Sequence, residues 1–269
     1  MTLAPVLCLV PAYKPDRLAL EASLASLLRQ TQPTDIMLID DGSPEPIERL
    51  HGSLAGVEIL RLENNGGITR ALSRGVEEAL RRGYGHVARL DVGDIAYPER
   101  MARQLIHMQA NPHLGLLGCR ARVHDETGKT LFIHGVTGGP DAVAAYLKRN
   151  AAFKHSSFML SAEALRRYGN YDTRYRLAQD YELALRLSQH LGVDCLDTVL
   201  IDYEQSATGL SARHRQTQLR MRLKAQWQHK SFDGPSAGGM LRTLATLAVP
   251  AALAARLSQR NWAMKKRPA

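Results

Sequence analysis

Three short segments place acids and glycines where apolar runs end. Asp40, Asp41, Gly42 and Ser43 close the run at 36–40. Carboxylates there can accept hydrogen bonds from a base N–H and from ribose hydroxyls. Asp-Gly-Ser is equally good turn and helix-cap chemistry. Asn64, Asn65, Gly66 and Gly67 lead into Ile68, Thr69 and Arg70, where a helical pattern begins. Glycines let a ligand approach the backbone, a helix N-terminus favours anions, and Arg70 and Arg74 can face a diphosphate. A plain loop with solvated arginines would read the same. Asp91, Val92, Gly93 and Asp94 follow Arg89 and Leu90. Two carboxylates at a strand end can hold a divalent cation against a diphosphate, or form a solvated turn. Further on, Gln179, Asp180, Tyr181, Glu182 and Leu183 open another helical pattern. Asp180 suits a general base, and it also suits an acid that complements the helix dipole.

The elements that would position these groups follow from periodicity. Strands are expected at 6–10, 36–40, 57–62 and 87–91, and helices at 16–29, 68–82 and 98–109. This alternation predicts an α/β fold with a mostly parallel central sheet flanked by helices. Ligands of such sheets bind at the carboxyl ends of the strands, where the three segments lie. The second half reads as mixed. A hairpin is expected from 114–124 and 129–134 around Thr127 and Gly128. Helices follow at 141–149 and 179–190, with strands at 157–160 and, with a break, 195–203. A Gly/Ser/Pro-rich stretch at 231–239 reads as a linker between two helices.

Composition narrows the class. The chain has 269 residues, 45% of them hydrophobic, enough for one large core with an appendage. Cys8, Cys119 and Cys195 are far apart, which argues against a disulfide framework or a zinc site and fits a reducing compartment. The apolar start lacks a basic leader and reads as a buried strand. No run of about 20 uncharged apolar residues predicts a spanning helix. The net charge of +9 is lopsided: residues 211–269 carry 12 Lys and Arg against one acid, Asp233, a net +11 that leaves −2 for residues 1–210. In that tail Leu219, Met221, Leu223 and Trp227 interleave with Arg220, Arg222 and Lys224, and the stretch 240–257 is apolar around Pro250. Such basic amphipathic helices suit an anionic membrane surface. Packing on the body is the other reading. No nucleic-acid-binding module is present, so nucleic acid is not expected as a partner.

The order of these motifs resembles family 2 glycosyltransferases of the GT-A fold over about residues 6–211. The series begins at Val10, Pro11, Ala12 and Tyr13 and passes through Asp40 to Ser43. It continues with Asn65, Gly66 and Gly67 and with Arg89 to Asp94, then Pro98, Glu99, Arg100 and Gln104. His155, Ser156 and Ser157, the segment Tyr168 to Asp172, the segment from Gln179, and Tyr203 with Ser211 complete it. The resemblance implies a catalytic domain over 1–210 and a basic helical extension over 211–269. It implies an inverting transfer from a nucleotide-diphosphate sugar, uridine first, to a sugar or lipid-linked acceptor in surface polysaccharide or glycolipid assembly. A cytoplasmic protein, peripheral at the inner face of the membrane, is expected. Pro11, Ala12, Tyr13, Asp41, Asn65, Gly66, Arg70, Arg89 and Asp91 would bind the donor, and Asp180 would be the base. Asp91 and Asp94 would hold Mn²⁺ or Mg²⁺. Two departures bear on that metal. Gly93 stands where the family usually has an acid, and Glu204 and Ser206 stand where it often has Arg and His. Metal independence, with Arg70, Arg74, Lys154 or His214 neutralising the leaving group, is the alternative. A scaffold of the same fold that binds nucleotide or a protein partner without turnover is the alternative function.

Overall fold

The computed structural model describes residues 5–50, 55–205 and 214–249. Ser206 and Ser211, and the basic positions Arg256, Arg260, Lys265, Lys266 and Arg267, lie outside the described residues.

The first half is a parallel α/β unit, as its periodicity predicts. Strand β1 (Val6–Ala12) is buried along its whole length. It pairs in parallel with β2 (Asp35–Asp40) on one side and with β4 (His86–Arg89) on the other, and β3 (Val57–Arg61) pairs with β2. Alternate side chains feed two cores. Leu7, Leu9, Met37 and Ile39 face α3 (Ile68–Arg82), while Val6, Cys8, Val10, Ile36 and Leu38 face α1 (Arg17–Leu28) and α4 (Arg100–Ala110). Helix α1 starts at Asp16, whose carboxylate accepts from Ala19 N at 2.9 Å. Helix α3 ends at Gly83 in the left-handed conformation. A short helix α2 (Ile47–Leu50) lies between β2 and β3.

The second half is mixed. Strand order runs β3-β2-β1-β4-β8-β6-β9-β5, with β7 on β6. Strand β8 (Met159–Ser161) is antiparallel to β4 and to β6 (Leu114–His124). Strand β9 (Gly192–Glu204) runs parallel to β6, and β5 (Ile95–Ala96) is antiparallel to β9. The hairpin around Gly128 forms from β6 and β7 (Thr130–His134). The break expected within 195–203 is a bulge: Leu196 pairs with Cys119 and Val199 with Arg120, so Asp197 and Thr198 are extra residues in a continuous strand. Helices α5 (Pro140–Leu147), α6 (Ala162–Tyr168) and α7 (Gln179–Leu187) complete the body.

Helices α8 (Arg215–Gln228) and α9 (Gly234–Ala248) follow. The expected linker is much shorter than its composition suggests. Asp233 caps α9, accepting from Ser236 N at 2.8 Å, and Pro235 sits in the first turn where its missing N–H costs nothing. Chain order reverses direction between β1 and β4, since β2 and β3 lie on one side and β4 on the other. Such a reversal opens a crevice at the strand carboxyl ends.

Candidate active site

One wall of the crevice is built by the ends of β1 and β2. Pro11 and Ala12 are buried and Tyr13 is exposed beyond them. Asp41 N donates to Ala12 O at 2.9 Å, and Lys14 N donates to Ser43 Oγ at 3.0 Å, so the two strand ends form one rim. The two acids here do different work. Asp40 is fully buried and structural: it accepts from Ser43 N at 2.9 Å and pairs with Arg61 of β3. The Asp41 carboxylate holds the next loop, accepting from Gly66 N at 2.9 Å, Gly67 N at 2.8 Å and Asn65 Nδ2 at 3.1 Å. Gly42 (φ 67°) permits this approach, since a Cβ there would lie 2.5 Å from the carbonyl carbon of Asn64. Asn65, Gly66 and Arg70 are exposed, with the Arg70 stem folded over Gly66. Arg74 is drawn to Glu77 at 2.6 Å.

The second wall follows β4. Arg89 is buried at the strand end and pairs with Asp91, leaving its Nε and Nη1 without partners. Ser156 Oγ lies 3.1 Å from Asp91 Oδ2 and within hydrogen-bonding reach of Asp94 Oδ2, so one hydroxyl draws both carboxylates together. Asp94 also accepts from Glu204 N at 3.2 Å. Burial pushes the Asp94 carboxyl up to about 6, against the bonds from Ser156 and Glu204 and the charges of Arg89 and Lys154. Gly93 has φ 100° and open space around it. An acid at this position would need a backbone conformation that favours glycine, which gives the departure a local physical reason. No group of three or more His, Cys, Asp or Glu able to cage a metal occurs among the described residues. The Asp91–Asp94 pair does fit a hard cation that arrives with a diphosphate, because such an ion takes one or two carboxylates and fills its remaining positions with phosphate oxygens and water.

The third wall is α7. Its start is strained: Ala178 has φ 58° and is buried. Asp180 follows in the first turn, half-buried, with no hydrogen-bond partner among the described residues. Its charge acts on Arg89, Lys154, Tyr171 and Tyr203, which puts it across from the Asp91–Asp94 turn. It borders a small hollow with Phe153, Phe158 and Ala184. Tyr181 instead points inward and donates to Leu147 O at 2.6 Å, and Glu182 is a fully buried structural acid.

Two supporting groups carried motif letters but no role. Arg100 is buried and donates from Nη2 to Arg89 O at 2.9 Å and from Nε to Gln104 at 2.9 Å; Gln104 donates to Ser157 O at 2.8 Å. They fix the end of β4 against the short 3₁₀ turn His155–Ser157. His155 bonds Tyr171 OH at 2.7 Å, and burial holds its imidazole well below the ordinary range. Polar residues on the buried face of α4 were the available signal.

Comparison with known proteins identifies the family and the fold. The model for glycosyl transferase family 2 matches residues 8–169. The amylovoran biosynthesis glycosyltransferase AmsE of Erwinia amylovora is 30% identical over 179 residues, which span 65% of this chain and 65% of that protein. An uncharacterized glycosyltransferase of Haemophilus influenzae is 25% identical over 211 residues, 76% of this chain and 75% of its own. Among solved structures, S. aureus TarS 1-349 in complex with UDP-GlcNAc superposes with a TM-score of 0.64 at 13% identity, over 89% of this chain and 71% of that one. The mannosyltransferase PcManGT of Pyrobaculum calidifontis, in complex with GDP-Man and Mn²⁺, superposes with a TM-score of 0.61 at 17% identity, over 93% and 71%. The fold is therefore of the GT-A type. The family match covers β1 from Cys8 onward, the Asp41 rim, the Asp91–Asp94 turn and the Ser156 bridge between them, and this chain belongs to glycosyl transferase family 2.

Proposed function

We propose that the chain is an inverting glycosyltransferase that moves a sugar from a nucleotide-diphosphate donor, uridine first, to an acceptor hydroxyl. The observation that carries the reading is Asp180, a carboxylate with no hydrogen-bond partner among the described residues, across the crevice from the Arg89–Asp91–Asp94 wall. The donor's base and ribose would lie on the rim formed by Pro11, Ala12, Tyr13 and the Asp41 loop. The diphosphate would lie toward Arg70, Arg89 and Asp91. Asp180 would take the proton of the acceptor hydroxyl as its oxygen attacks the anomeric carbon from the face opposite the diphosphate. One in-line displacement inverts that carbon and needs no covalent glycosyl-enzyme. When a divalent cation is bound, Asp91 and Asp94 would hold it, and it would neutralise charge on the departing diphosphate. Structures of the same fold contain UDP-GlcNAc, or GDP-Man with Mn²⁺, which supports a nucleotide-sugar donor.

Donor binding tests this reading. Calorimetry should find that the full chain binds UDP in the presence of Mn²⁺. Asp41→Ala should weaken that binding by about 10-fold, because three hydrogen bonds holding the Asn65–Gly67 loop are lost. Absence of affinity for either UDP or GDP, with or without metal, would remove the donor assignment.

The acceptor side is proposed to face an anionic membrane surface, at the inner face of the cell membrane, where a lipid-linked sugar for polysaccharide or glycolipid assembly would be met. No helix among the described residues is long and apolar enough to cross a membrane. Helices α8 and α9 enclose a groove of about 710 Å³ lined by Leu223, Trp227, Met240, Leu241 and Leu244, with Arg220 and Lys224 at its edge. Trp227 is 64% exposed, Phe232 98% and Leu241 66%, and Lys230 lies over the Trp227 ring at 3.6 Å. The opposite side of α9 packs on the body: a Cβ at Gly239 would lie 2.0 Å from Lys148 O, and Ser236 and Thr243 are buried. The chain should co-sediment with anionic phosphatidylglycerol vesicles at low salt, and salt should weaken this. Replacing exposed Trp227, Phe232, Leu241 and Leu244 by serine should cut binding by about 10-fold or more without lowering the melting temperature. Equal binding by both proteins, or none by either, would defeat the membrane assignment.

A further inference from the structure

We propose that Lys154 is a diphosphate-binding cation built into the chain, so that the nucleoside diphosphate binds without a divalent ion. This rests on the donor reading above and adds to it a ligand contact and an ionic requirement.

Arg70 and Arg74 are exposed, and Arg74 is engaged by Glu77. His214 is exposed at the start of α8. Lys154 alone among the four cations weighed from the sequence lies between the Asp91–Asp94 turn and α7. It immediately precedes the 3₁₀ turn whose Ser156 draws Asp91 and Asp94 together. It is half-buried, and the charges that act on it are those of Asp94 and Asp180, one from each wall. It makes no ion pair and no side-chain hydrogen bond among the described residues. Its Nζ rests over the Tyr203 ring, 4.0 Å from the centroid, and the Phe132 ring lies 5.9 Å away. Aromatic faces hold an ammonium by its charge and leave N–H donors free for another acceptor. Burial lowers the Lys154 ammonium to about 8 against the raising effect of Asp94 and Asp180, which identifies it as a desolvated charge.

Gly93 and Lys154 act in the same direction. An acid at 93 would add negative charge beside a diphosphate and favour a multivalent cation there. Gly93 removes that charge, and Lys154 brings a positive one to the same turn. Arg89 contributes a second buried cation with Nε and Nη1 unpartnered, but one arm of it is engaged by Asp91. Lysine binds phosphate as a point charge, with three donors and no demand for a planar partner. An ammonium fixed by Tyr203 is therefore suited to the phosphate oxygens of a donor whose sugar points toward Asp180.

Equilibrium binding of UDP to the full chain, by calorimetry in EDTA and again in Mn²⁺, tests this. The wild-type chain is expected to bind UDP in EDTA. Lys154→Gln should lose about 10-fold or more of that affinity, while Lys154→Arg retains most of it and serves as the charge-preserving folding control. In Mn²⁺ the loss by Lys154→Gln should be smaller, because the ion supplies charge. Wild-type binding that requires Mn²⁺ would overturn the proposal and leave the donor reading standing, as would equal affinity of wild type and Lys154→Gln in EDTA. Failure to bind either UDP or GDP in both conditions would remove both.

Discussion

Glu182→Ala is expected to destabilise the chain by about 3 kcal/mol, at the low end of what breaking a buried ion pair costs. Glu182 has no exposed surface and accepts from Arg186 Nε at 2.8 Å, Arg186 Nη2 at 3.1 Å and His229 Nε2 at 2.9 Å. It therefore joins α7, which carries Asp180, to the end of α8. Arg186 would keep its bonds to Gly169 O at 3.0 Å and Asn170 O at 2.8 Å, which is why the lower figure applies. For a chain of this size the melting temperature should fall by roughly 6–12 °C. A fall of only a degree or two would mean that the pair contributes little. The link also has a pH signature. Burial pushes the Glu182 carboxyl up, but the bonds from His229 and Arg186 outweigh it and hold the group below its usual value. A depressed folded value means that the stabilisation is present above the unfolded value of about 4.3 and is lost as pH falls through the folded one. Glu182→Gln should remove that acid-limb dependence while keeping the shape.

What the sequence made legible follows the range of the interactions involved. Helix α3 was readable to its last residue because its signals are local: glycines at both ends and a buried stripe of Ala71, Leu72, Val76 and Ala79. Strand β1 was readable because it is apolar throughout. Strand β5 was not, since it has two residues and its partners Ile201 and Asp202 come over a hundred positions later. The stretch 231–239 misled by composition, because Asp233 and Pro235 are turn formers that also start helices. At the site, Asp41 and the Asp91–Asp94 turn were visible as acids after strands. That Asp40 is structural depends on Arg61, and the place of Lys154 depends on Tyr203 and α7, none of which is a neighbour in sequence. Ser156 was visible as a motif letter, but its bridging of two carboxylates required the antiparallel return of β8 beside β4.

The other large effect concerns catalysis. Asp180→Asn removes a carboxylate that lacks a hydrogen-bond partner among the described residues, and it keeps the side chain's shape at the start of α7. The proposed donor site uses the opposite walls, so affinity for UDP should stay within about 3-fold of wild type, a change below 1 kcal/mol. The chemical step should suffer, because nothing else unpaired on α7 can take the acceptor's proton. Loss of a positioned general base costs roughly 100-fold or more in rate. The decisive measurement is acceptor-dependent UDP release from UDP-hexoses, with polyprenyl-linked saccharides as acceptors, for wild type and Asp180→Asn beside their UDP affinities. With Asp180 as the base, the rate falls by about 100-fold or more at nearly unchanged affinity. A variant that binds UDP normally and transfers at close to the wild-type rate would contradict it.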